Sequence, residues 1–481
     1  MFHKIFIFLR PDKCTVFLCI FALHLSNMNR IIKIKKGLDI NLKGKAPNCL
    51  LGNLQPDNYS IIPDDLTGIT PKVAVKVDDK VEAGTVILYD KNHPEIKIVA
   101  PVSGKITAIN RGEKRKLLSV DILADKEIQY VDFGKPDISN FSAAQIKELL
   151  SIGGVLPFIK QRPYDIIANP QDTSRDIFVT GFNSAPLAPD AEFVLTGQEQ
   201  DFQTGLDILA KLTSGKVYLG IKNGCNADCL KNAKNVEIIA FEGPHPAGNV
   251  GVQINHIKPV NKGEVVWTIN YADIPFIGRL FNKGIADFTR VVALTGSEIT
   301  ETGYYQTIIG ANLSSIFQKK TTTGKELRYI SGNVLTGKRI SENGYLGFYD
   351  NQITVIPEGK ETNEFLGWIL PGLNKFSVSK TYFTWLLNAF GKKEYTIDAR
   401  VKGGKRAMIM SNEYDKVFPM DIYPEYLLKA IIAFNIDKME NLGIYEVAPE
   451  DFALCEFVDT SKIEIQSIVR NGLDLLHKEM N

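Results

Sequence analysis

The cysteine with the most suggestive surroundings lies near the end of the chain, in LCEFVDTSK at residues 454–462. Bacterial ferredoxin-type clusters use the spacing C-x2-C-x2-C-x3-C-P, because four thiolates have to converge on one iron–sulfur cluster. Counting from Cys455 by that spacing places the other ligand positions at Pro449, Phe452 and Asp459. Proline and phenylalanine cannot ligate iron. We therefore predict that no ordinary cluster forms and that Cys455 is a small buried apolar residue.

A second candidate site is EGPHPAGNVGVQINHIKPV at residues 242–260, which is dense in Gly, Pro and His. Its glycines would allow a ligand to approach the backbone closely. His245 and His256 are of a residue type that binds metals or relays protons. The segment contains neither the G-x-x-x-x-G-K-S/T phosphate loop nor a G-x-G-x-x-G fingerprint. We therefore favour a structural role, as a connection between two strands with a conformationally special turn.

Cys225 and Cys229 lie four residues apart in GCNADC. One C-x3-C pair is weak evidence for zinc, because structural zinc sites use four protein ligands. We find no serine–histidine–aspartate arrangement and no H-E-x-x-H motif. The sequence therefore predicts no catalytic residue, no cofactor-binding residue and no metal ligand in this chain.

The overall composition narrows the class of protein. The chain has 481 residues, 44% hydrophobic and 23% charged, which is typical of a soluble protein with several domains. Lysine and arginine number 56 against 55 aspartate and glutamate, a net charge of +1. Proteins that bind nucleic acid usually have a marked basic excess, so we do not expect nucleic acid as the main partner. The six cysteines form no disulfide-like pattern, which favours a reducing, cytosolic compartment.

Residues 1–27 differ from the rest of the chain. Their apolar run TVFLCIFALHL has eleven residues, which suits the core of a signal peptide but is too short for a membrane helix of about 20 residues. No small-x-small cleavage site follows cleanly, and Met28 begins the well-patterned segment MNRIIKIKKGLDI. We predict that translation starts at Met28 and that residues 1–27 are an upstream extension outside the fold.

Four further regions differ in their hydrophobic pattern. Residues 28–125 alternate apolar and polar residues between tight turns, which predicts short strands. Residues 126–285 alternate strand patterns such as RDIFVTGFN with helical ones such as SAAQIKELLSIGG, which has a Ser142 cap and a Gly stop. This alternation predicts an α/β layer with a parallel sheet. Residues 286–345 predict a small β-rich module, and residues 346–481 begin irregularly and end in helices. None of these regions has an apolar stretch long enough to cross a membrane.

The first of these regions contains two patterns that resemble the barrel-sandwich fold of biotinyl and lipoyl domains. They are V-x-x-G-x-x-I/L and AP-x-x-G-x-I, the second within IKIVAPVSGKITAIN. In those domains a lysine at a hairpin tip is modified. Lys91 in YDKNHPEIK is the nearest candidate, but it lacks the Asp-Lys-Ala or Met-Lys-Met context. We favour an unmodified structural module; the alternative, a carrier modified on Lys91, would be seen in the intact mass.

Several stretches together, in one order along the chain, resemble the NqrA family, which belongs to the sodium-translocating NADH:quinone oxidoreductase, the Nqr complex. They are IKIKKGLDI at 32–40, HPAG at 245–248, VWTINYADIPFIGRLF at 266–281, SGNVLTG at 331–337, GYLGFYDNQITVIPEG at 344–359 and FLGWILPGLNKFS at 365–377. The resemblance covers essentially all of Met28–Asn481 and leaves out residues 1–27. Several motifs of this length in one order are far more specific than any single cluster above.

That family is similar to the flavin and iron–sulfur subunits of the Rnf complex and of respiratory complex I. The resemblance implies an α/β multidomain fold with a barrel-sandwich (biotinyl/lipoyl-like) domain at 28–125. A Rossmann-like α/β domain is implied at 126–285 and a β-grasp, soluble-ligand-binding module at 286–345. An irregular segment and a C-terminal helical domain, a degenerate ferredoxin-like one, are implied at 346–481.

Two cofactor-binding features of those relatives are incomplete here. Their flavin loop G-x-G-G-A-x-F-P-T corresponds to SIGGVLPFIKQ at 151–161, which keeps Gly153, Gly154 and Pro157 but loses the rest. Their acidic AECEP segment corresponds to FNSAP at 182–186, so a glutamate that would contact cofactor or nicotinamide is absent. Without the glycines the backbone cannot wrap a phosphate as closely. The resemblance therefore implies that this chain binds neither flavin nor NADH and has no redox centre.

The same resemblance implies a peripheral subunit on the cytoplasmic face of the bacterial inner membrane. The complex oxidises NADH, reduces quinone and exports sodium, with NADH, FAD, FMN, iron–sulfur, riboflavin and quinone bound in other subunits. The implied partners are the other five subunits, especially the membrane-embedded quinone/flavin subunit, with quinone as a further candidate ligand. The isolated chain is not expected to be catalytic. The alternative is a stand-alone flavin- or NADH-binding oxidoreductase on the same scaffold, which a visible spectrum would show.

Overall fold

The structure is a computed structural model that describes residues 30–136, 140–360, 372, 374–387, 391 and 393–480. The predicted extension at residues 1–27 lies outside the described residues. The strands are β1 (Arg30–Lys33), β2 (Leu50–Asn53), β3 (Asn58–Ile61), β4 (Pro71–Val73), β5 (Lys80–Val81), β6 (Val86–Asp90), β7 (Lys97–Val99), β8 (Gly104–Arg111), β9 (Leu117–Ala124), β10 (Lys160–Arg162), β11 (Ile166–Ile167), β12 (Ile177–Thr180), β13 (Val217–Lys222), β14 (Glu237–Glu242), β15 (Val266–Asn270), β16 (Thr289–Thr295), β17 (Gly303–Ile308), β18 (Leu327–Ser331), β19 (Lys338–Ile340) and β20 (Gln352–Pro357). The α-helices are α1 (Ala143–Ile152), α2 (Ala191–Leu195), α3 (Glu199–Leu212), α4 (Asp228–Lys231), α5 (Val250–Ile257), α6 (Ile274–Lys283), α7 (Ser314–Lys320), α8 (Thr384–Leu387), α9 (Tyr414–Val417), α10 (Pro424–Ile432), α11 (Ile436–Asn441), α12 (Ala453–Val458) and α13 (Ile465–Met480).

The N-terminal module consists of two small antiparallel sheets, with strand orders β3-β9-β8-β5 and β4-β6-β7. Their apolar residues follow the period of two that a half-buried strand requires. In β9, for example, Val120 and Ile122 are buried while Leu123 faces outward, and a register shift opposite Leu117 interrupts the alternation. The predicted short strands are therefore confirmed for this region.

The central layer is a seven-stranded sheet in the order β1-β14-β13-β12-β15-β10-β11. The first five strands are parallel, and β10 and β11 extend the sheet antiparallel. Every residue of β12 is buried, as expected for a parallel strand covered on both faces. The predicted parallel α/β layer is confirmed.

The two faces of this sheet enter two separate hydrophobic cores. Because side chains alternate along a strand, Ile177 and Val179 of β12 point to one face and Phe178 to the other. The first two belong to a core shared with the N-terminal module, α1, α3 and α6. Phe178 belongs to a core shared with α5 and the C-terminal helices. The sheet therefore connects the N-terminal and C-terminal parts of the molecule.

Helix α1 begins and ends where its sequence predicts. The Ser142 Oγ accepts a hydrogen bond from the Gln145 backbone N–H, and the Gln145 side chain accepts one from the Ser142 backbone N–H at 3.0 Å. This reciprocal pair is a capping box, which satisfies two otherwise unpaired donors. The helix ends at Gly153, the predicted stop.

Helices α3 and α6 pack unusually close together because each has a glycine at the contact. A Cβ on Gly278 would lie 1.9 Å from the Asp201 carbonyl oxygen, and one on Gly205 would lie 2.5 Å from the Ile274 side chain. Both distances are shorter than real carbon contacts allow. The glycines thus set the spacing of the two helices that cover one face of the sheet next to β15.

A six-stranded sheet, in the order β19-β18-β20-β16-β17-β2, follows the α/β layer. The predicted β texture of residues 286–345 is present, but β20 lies beyond that boundary at Gln352–Pro357. Strand β2 reaches this sheet from the N-terminal region and pairs parallel with β17, while β1 pairs parallel with β14. The segment 30–53 therefore supplies edge strands to two sheets outside its own module. The proposed boundaries stay a prediction about where independent domains begin and end.

The C-terminal part consists of helices α9 to α13, as the periodic apolar pattern predicts. Gly443 follows α11 in the left-handed conformation, with φ +87°, and stops that helix. The preceding residues 374–387 and 393–413 are irregular apart from the single turn of α8. No helix among the described residues is long and apolar enough to cross a membrane.

Candidate functional site

The seven-stranded sheet has a topological switch point between β12 and β15. From β12 the chain proceeds outward through β13 and β14, and it then returns to β15 on the opposite side of β12. In open α/β sheets, ligands bind outside the carboxyl ends of the strands where the order reverses. Thr180 and Asn270 are the last residues of the two strands. The fold alone therefore marks this edge as a candidate site.

A cleft of about 440 Å3 opens at this edge. Thr180, Asn270 and Asp273 line it from the α/β layer, Asp350 lines it from the six-stranded sheet, and Glu450 lines it from the C-terminal part. Asp65 and Thr67 of the N-terminal module line it as well, so four modules of the chain meet at one cleft. A ligand bound there would contact all of them, as is common for sites at domain interfaces.

A buried ion pair lies beneath the cleft, with Asp273 but not Arg290 among the lining residues. Arg290 of β16 donates a hydrogen bond to Asp273 at 2.9 Å, and the side chains are 1% and 5% exposed. Arg290 also donates to the Asp350 carbonyl at 3.0 Å, while its Nε has no hydrogen-bond partner. Burial raises the pKa of Asp273 to about 6, even though the arginine opposes the shift. Asp273 therefore changes protonation near neutral pH beside a fixed positive charge.

A second buried arginine lies at the side of the cleft. Arg162 of β10 is 1% exposed and donates to Asp451 at 3.1 Å, with Asp165 and Glu450 at 4.0 and 3.8 Å. Its Nε and Nη2 have no hydrogen-bond partner, nor does Oδ1 of Asp451. Gly251 of α5 makes room for this carboxylate, since a Cβ there would lie 2.3 Å from Oδ2. Unsatisfied buried donors beside a cleft are a feature of sites that receive a polar ligand.

The acids around Arg162 respond to it differently. Burial would raise the pKa of Asp165, but Lys160, Arg162 and Arg470 together hold that pKa below its ordinary value. Burial and the neighbouring Asp451 raise the pKa of Glu450. The Glu450 side chain keeps 44% of its surface exposed, so water in the cleft reduces that effect. The cleft is therefore lined by one carboxylate with a lowered pKa, Asp165, and by three carboxyls with raised pKa values, Asp273, Asp350 and Glu450.

The mouth of the cleft adds an aromatic face. The Lys160 ammonium lies 4.4 Å from the centre of the Tyr349 ring, and the Tyr349 hydroxyl donates to the Pro157 carbonyl at 2.9 Å. Phe348 stacks on Phe158 with ring centres 4.6 Å apart. Together the side chains offer charge, hydrogen bonds and a flat apolar surface. This combination would hold and protonate a planar polar ligand, but it includes no nucleophile paired with a base.

Sequence patterns alone did not indicate these residues. A signal existed for Arg290, which occurs within a region predicted to be β-rich, and a charge in a buried strand needs a partner. No strand was predicted around Arg162. The partner could not be read from the sequence, since Arg162 and Asp451 are separated by 289 positions.

The ferredoxin-like positions are filled by packing and capping interactions. Cys455 and Phe452 are 0% exposed and belong to the C-terminal core. Asp459 accepts a hydrogen bond from the Tyr414 hydroxyl at 2.7 Å and from the backbone of Ser461. Burial raises the pKa of the Cys455 thiol well above its ordinary value, so the residue is a neutral apolar group. Among the described residues, no set of three His, Cys, Asp or Glu side chains could hold a metal.

The two histidines of residues 242–260 do not form a site together. His245 is buried, its Nδ1 lies 3.0 Å from the Ser184 hydroxyl, and burial lowers its pKa to about 4. The Nδ1 of His256 instead lies 2.9 Å from the Val252 carbonyl within α5. The favoured structural role therefore agrees with the geometry. The predicted strand-to-strand connection is present, since the segment lies between β14 and β15, but it also contains helix α5.

A second cavity, of about 580 Å3, lies beside the ends of β13 and β14. It is lined by His245, by Cys225 and by the FNSAP segment at 182–186. Cys225 and Cys229 are free thiols, and burial raises the pKa of each. They are protonated at neutral pH, which disfavours metal binding.

The segment 151–161, expected to be a reduced flavin loop, is packed rather than open. A Cβ on Gly154 would lie 2.5 Å from the Val99 side chain, and one on Gly153 would lie 2.7 Å from Leu280. The glycines thus allow contact with β7 and α6. Only Phe158 and Lys160 of this segment reach the cleft.

Lys91, the candidate carrier lysine, begins the connection between β6 and β7 and is exposed. Its backbone N–H donates to the Thr70 carbonyl at 2.9 Å. The residue therefore lies at the base of the connection, and its modification remains to be tested by intact mass.

Comparison with known proteins gives matches along most of the chain. Residues 32–125 match the NqrA N-terminal barrel-sandwich hybrid domain, residues 141–286 the NqrA second alpha/beta domain and residues 291–342 the NQRA C-terminal domain. The barrel-sandwich prediction for the N-terminal module is thereby confirmed.

Curated relatives match over nearly the whole chain. The NqrA protein of the Na(+)-translocating NADH-quinone reductase of Haemophilus influenzae (strain 86-028NP) is 38% identical over 452 residues, which are 93% of this chain and 100% of the relative. Its counterpart in Histophilus somni (strain 2336) is 36% identical, and that of Hahella chejuensis is 35% identical, with the same coverage. A solved NAD+-reducing NiFe-hydrogenase in the H2-reduced state is 11% identical with a TM-score of 0.35, covering 48% of this chain and 52% of the hydrogenase, which is too low for any inference. The chain belongs to the NqrA family of the Na(+)-translocating NADH-quinone reductase.

Proposed function

We propose that this chain is a peripheral subunit on the cytoplasmic face of the sodium-pumping respiratory NADH:quinone reductase. It contributes to quinone reduction coupled to sodium export without a redox centre of its own. The observation that carries the proposal is the end-to-end match to NqrA relatives, which spans 100% of their length. The partners are the other five subunits, especially the membrane-embedded quinone/flavin subunit. NADH, FAD, FMN, iron–sulfur and riboflavin are bound elsewhere in the complex.

The absence of a redox centre is supported by what occupies the expected cofactor positions. Gly153 and Gly154 contact side chains of neighbouring elements instead of leaving a phosphate-sized space. Cys455 is a buried, protonated thiol, and Asp459 is engaged by Tyr414. Because these residues pack against neighbouring elements, they are not arranged to bind the cofactors that the corresponding residues bind in the relatives.

The cleft at the switch point is the place where a quinone headgroup would be held. Reduction of a quinone consumes protons as well as electrons, and Asp273, whose pKa is about 6, can exchange a proton near neutral pH. Arg290, which does not line the cleft, holds the Asp273 carboxyl in place through a hydrogen bond of 2.9 Å. In this proposal the cleft residues position the headgroup and supply protons while electrons come from elsewhere in the complex.

We assign the finer fold names on the same basis. The switch point with parallel strands supports a Rossmann-like second domain, and the mixed sheet with helix α7 supports a β-grasp third module. The position of Cys455 within the last helices supports a degenerate ferredoxin-like domain.

Membership of the complex is tested by purifying the detergent-solubilised reductase through a tag on one of its membrane-embedded subunits. This chain should co-purify, and its deletion should abolish sodium-dependent quinone reduction. An active, sodium-dependent complex that lacks the chain would contradict the proposal.

The cleft is tested in the assembled complex with the double variant Asp273→Leu/Arg290→Met, which removes both charges and leaves neither unpaired. The KM for quinone should rise at least about tenfold if the pair holds the headgroup. Lys216→Met, at an exposed pair with Glu237, is the matched control. An unchanged KM in the double variant would exclude the cleft from quinone binding.

One observation favours the alternative of a stand-alone flavin- or NADH-binding oxidoreductase. Nucleotides bind at the switch point in many sheets of this type, and this chain has a polar cleft there. The chain purified alone decides between the two. A stoichiometric flavin band in its visible spectrum would support the alternative, and a colourless protein would support the proposed role within the complex.

A further inference from the structure

One face of the C-terminal part exposes large apolar side chains. Phe383, Trp385 and Leu386, in and beside α8, are 53%, 48% and 46% exposed. Val401 and Ile409 are 66% and 50% exposed. Side chains of this size are usually buried unless the surface meets another phase or molecule. We call the described residues 374–387 and 393–411 the basic–aromatic surface.

Its two segments lie together. The Lys393 ammonium donates to the Asn374 side chain at 2.6 Å. Val378 of the first segment and Val401 of the second line the same groove. Phe376 fixes the first segment against the body of the protein, with its ring 6.2 Å from that of Phe457. The exposed apolar residues are therefore held at one end by a partly buried anchor.

This surface is strongly basic although the chain as a whole is balanced. It has seven Lys or Arg against two Asp or Glu, and residues 399–412 include no acid. Residues 401–407 are all exposed and include Lys402, Lys405 and Arg406. Lys402 lies 3.9 Å from Asp398 and Lys405 lies 2.5 Å from Glu464, so these acids offset part of the positive charge. The Lys380 ammonium lies 5.9 Å from the centre of the Trp385 ring. Basic groups thus flank the apolar side chains on more than one side.

This pairing of residue types indicates the chemistry of the partner. Protein–protein interfaces are depleted in lysine, whereas tryptophan with lysine is typical of the boundary between water and a bilayer. Aromatic rings there enter the headgroup layer, and lysine and arginine attract anionic phospholipids. We propose that the basic–aromatic surface binds an anionic phospholipid membrane, with Phe383, Trp385 and Leu386 inserted among the headgroups.

This membrane contact adds detail to the proposed peripheral location, and its role in the cell rests on that proposal. It would orient the chain, because the cleft and the basic–aromatic surface lie on a continuous body packed by the C-terminal core. Lipid binding is nonetheless a property of this chain alone. It can therefore be measured without the other subunits, and its failure would leave the co-purification test of complex membership unaffected.

The experiment is flotation of the full chain with vesicles of phosphatidylcholine alone or mixed with phosphatidylglycerol. The chain should float with the mixed vesicles, and added salt should release it, because screening weakens attraction to an anionic surface. Each basic residue near such a surface changes partitioning roughly fivefold. Lys402→Ser/Lys405→Ser/Arg406→Ser should therefore lower binding about 100-fold, and Phe383→Ser/Trp385→Ser at least about tenfold.

The matched control is Tyr423→Ser/Phe434→Ser. These aromatic residues are 70% and 74% exposed on either side of α10, where acids outnumber bases. This variant should bind vesicles as the unaltered chain does.

Equal binding to both kinds of vesicle, binding that survives high salt, or an equal loss in the control would overturn the proposal. So would an unaltered chain that does not float with the mixed vesicles. If its Phe383→Ser/Trp385→Ser variant then also fails to join the complex, the surface binds protein instead. The salt dependence of the unaltered chain gives an answer even if a variant fails to fold.

Discussion

The buried pair of Arg290 and Asp273 provides a sharp test of how the cleft is stabilised. Replacing Arg290 by methionine keeps the apolar stem but leaves the Asp273 carboxylate without its hydrogen-bonded partner. Breaking a buried pair in this way costs about 3 to 5 kcal/mol of unfolding free energy. The loss has an upper limit, because the carboxylate can take up a proton instead of remaining charged.

Because the carboxylate can be protonated, the destabilisation caused by Arg290→Met depends on pH and is larger at higher pH. The pKa of Asp273 is about 6 in the folded protein, which is above its ordinary value, so folding favours its protonated form. Stability from this group is therefore present at low pH and is lost as pH rises through the folded pKa. Removing Arg290 raises that pKa further. Above pH 6 the unfolding free energy of the variant therefore continues to fall by about 1.4 kcal/mol per pH unit. The unaltered protein loses no further stability from Asp273 in that range.

The assay is urea unfolding at pH 5 and pH 7, followed by fluorescence to which the buried Trp267 of β15 contributes. Arg290→Met should be destabilised at both values and more strongly at pH 7. Lys216→Met, which breaks an exposed pair, should unfold as the unaltered protein does. A loss of stability that is equal at both pH values would refute the reasoning, as would no loss at all.

Three further predictions concern residues outside the cleft. Burial lowers the pKa of His245 to about 4, so its contribution to stability should be lost as pH falls from 6.5 toward 4, by about 1.4 kcal/mol per pH unit. The difference in unfolding free energy between the unaltered protein and His245→Gln should shrink over that range. Cys455→Ser should lower the unfolding free energy by about 1 to 3 kcal/mol because it buries a hydroxyl in an apolar core, while the exposed Cys49→Ser should not. Iron analysis should give none for either protein, and iron held by the unaltered chain but lost in Cys455→Ser would contradict the packing role. Gly278→Ala should lower the melting temperature strongly, because its Cβ would lie 1.9 Å from a carbonyl oxygen of α3, whereas Gly404→Ala, with open space around it, should leave it unchanged.

Features that depend on neighbours in the sequence were predictable. The capping box at Ser142, the parallel strands around β12 and the helix stop at Gly443 all follow from local hydrogen bonding and from the period of apolar residues. The inability of Pro449 and Phe452 to ligate iron also follows from residue type alone. The motif order along the chain further indicated the family, which the relatives then confirmed.

Features that depend on long-range pairing were not predictable. The connection after β14 leads to the strand β15 as predicted, but helix α5 within it was not predicted, because Gly- and Pro-rich turns look alike before strands and helices. Strand β2 joins the six-stranded sheet because β17 offers it an open edge. The sequence of β2, LLGN, does not indicate which strand it pairs with. The irregular pattern after residue 346 also concealed β20, which is buried between β16 and β18.

The sequence by itself thus determined the element types, the family and the incompatibility of the ferredoxin-like positions with a cluster, because each of these depends on residue type and short spacing. Only the tertiary structure decided where the cleft lies and what lines it. Arg162 meets Asp451 across 289 positions, and Arg290 meets Asp273 from a different sheet. Buried charges must be paired, but the partner is chosen by the packing of whole modules, which no local pattern encodes.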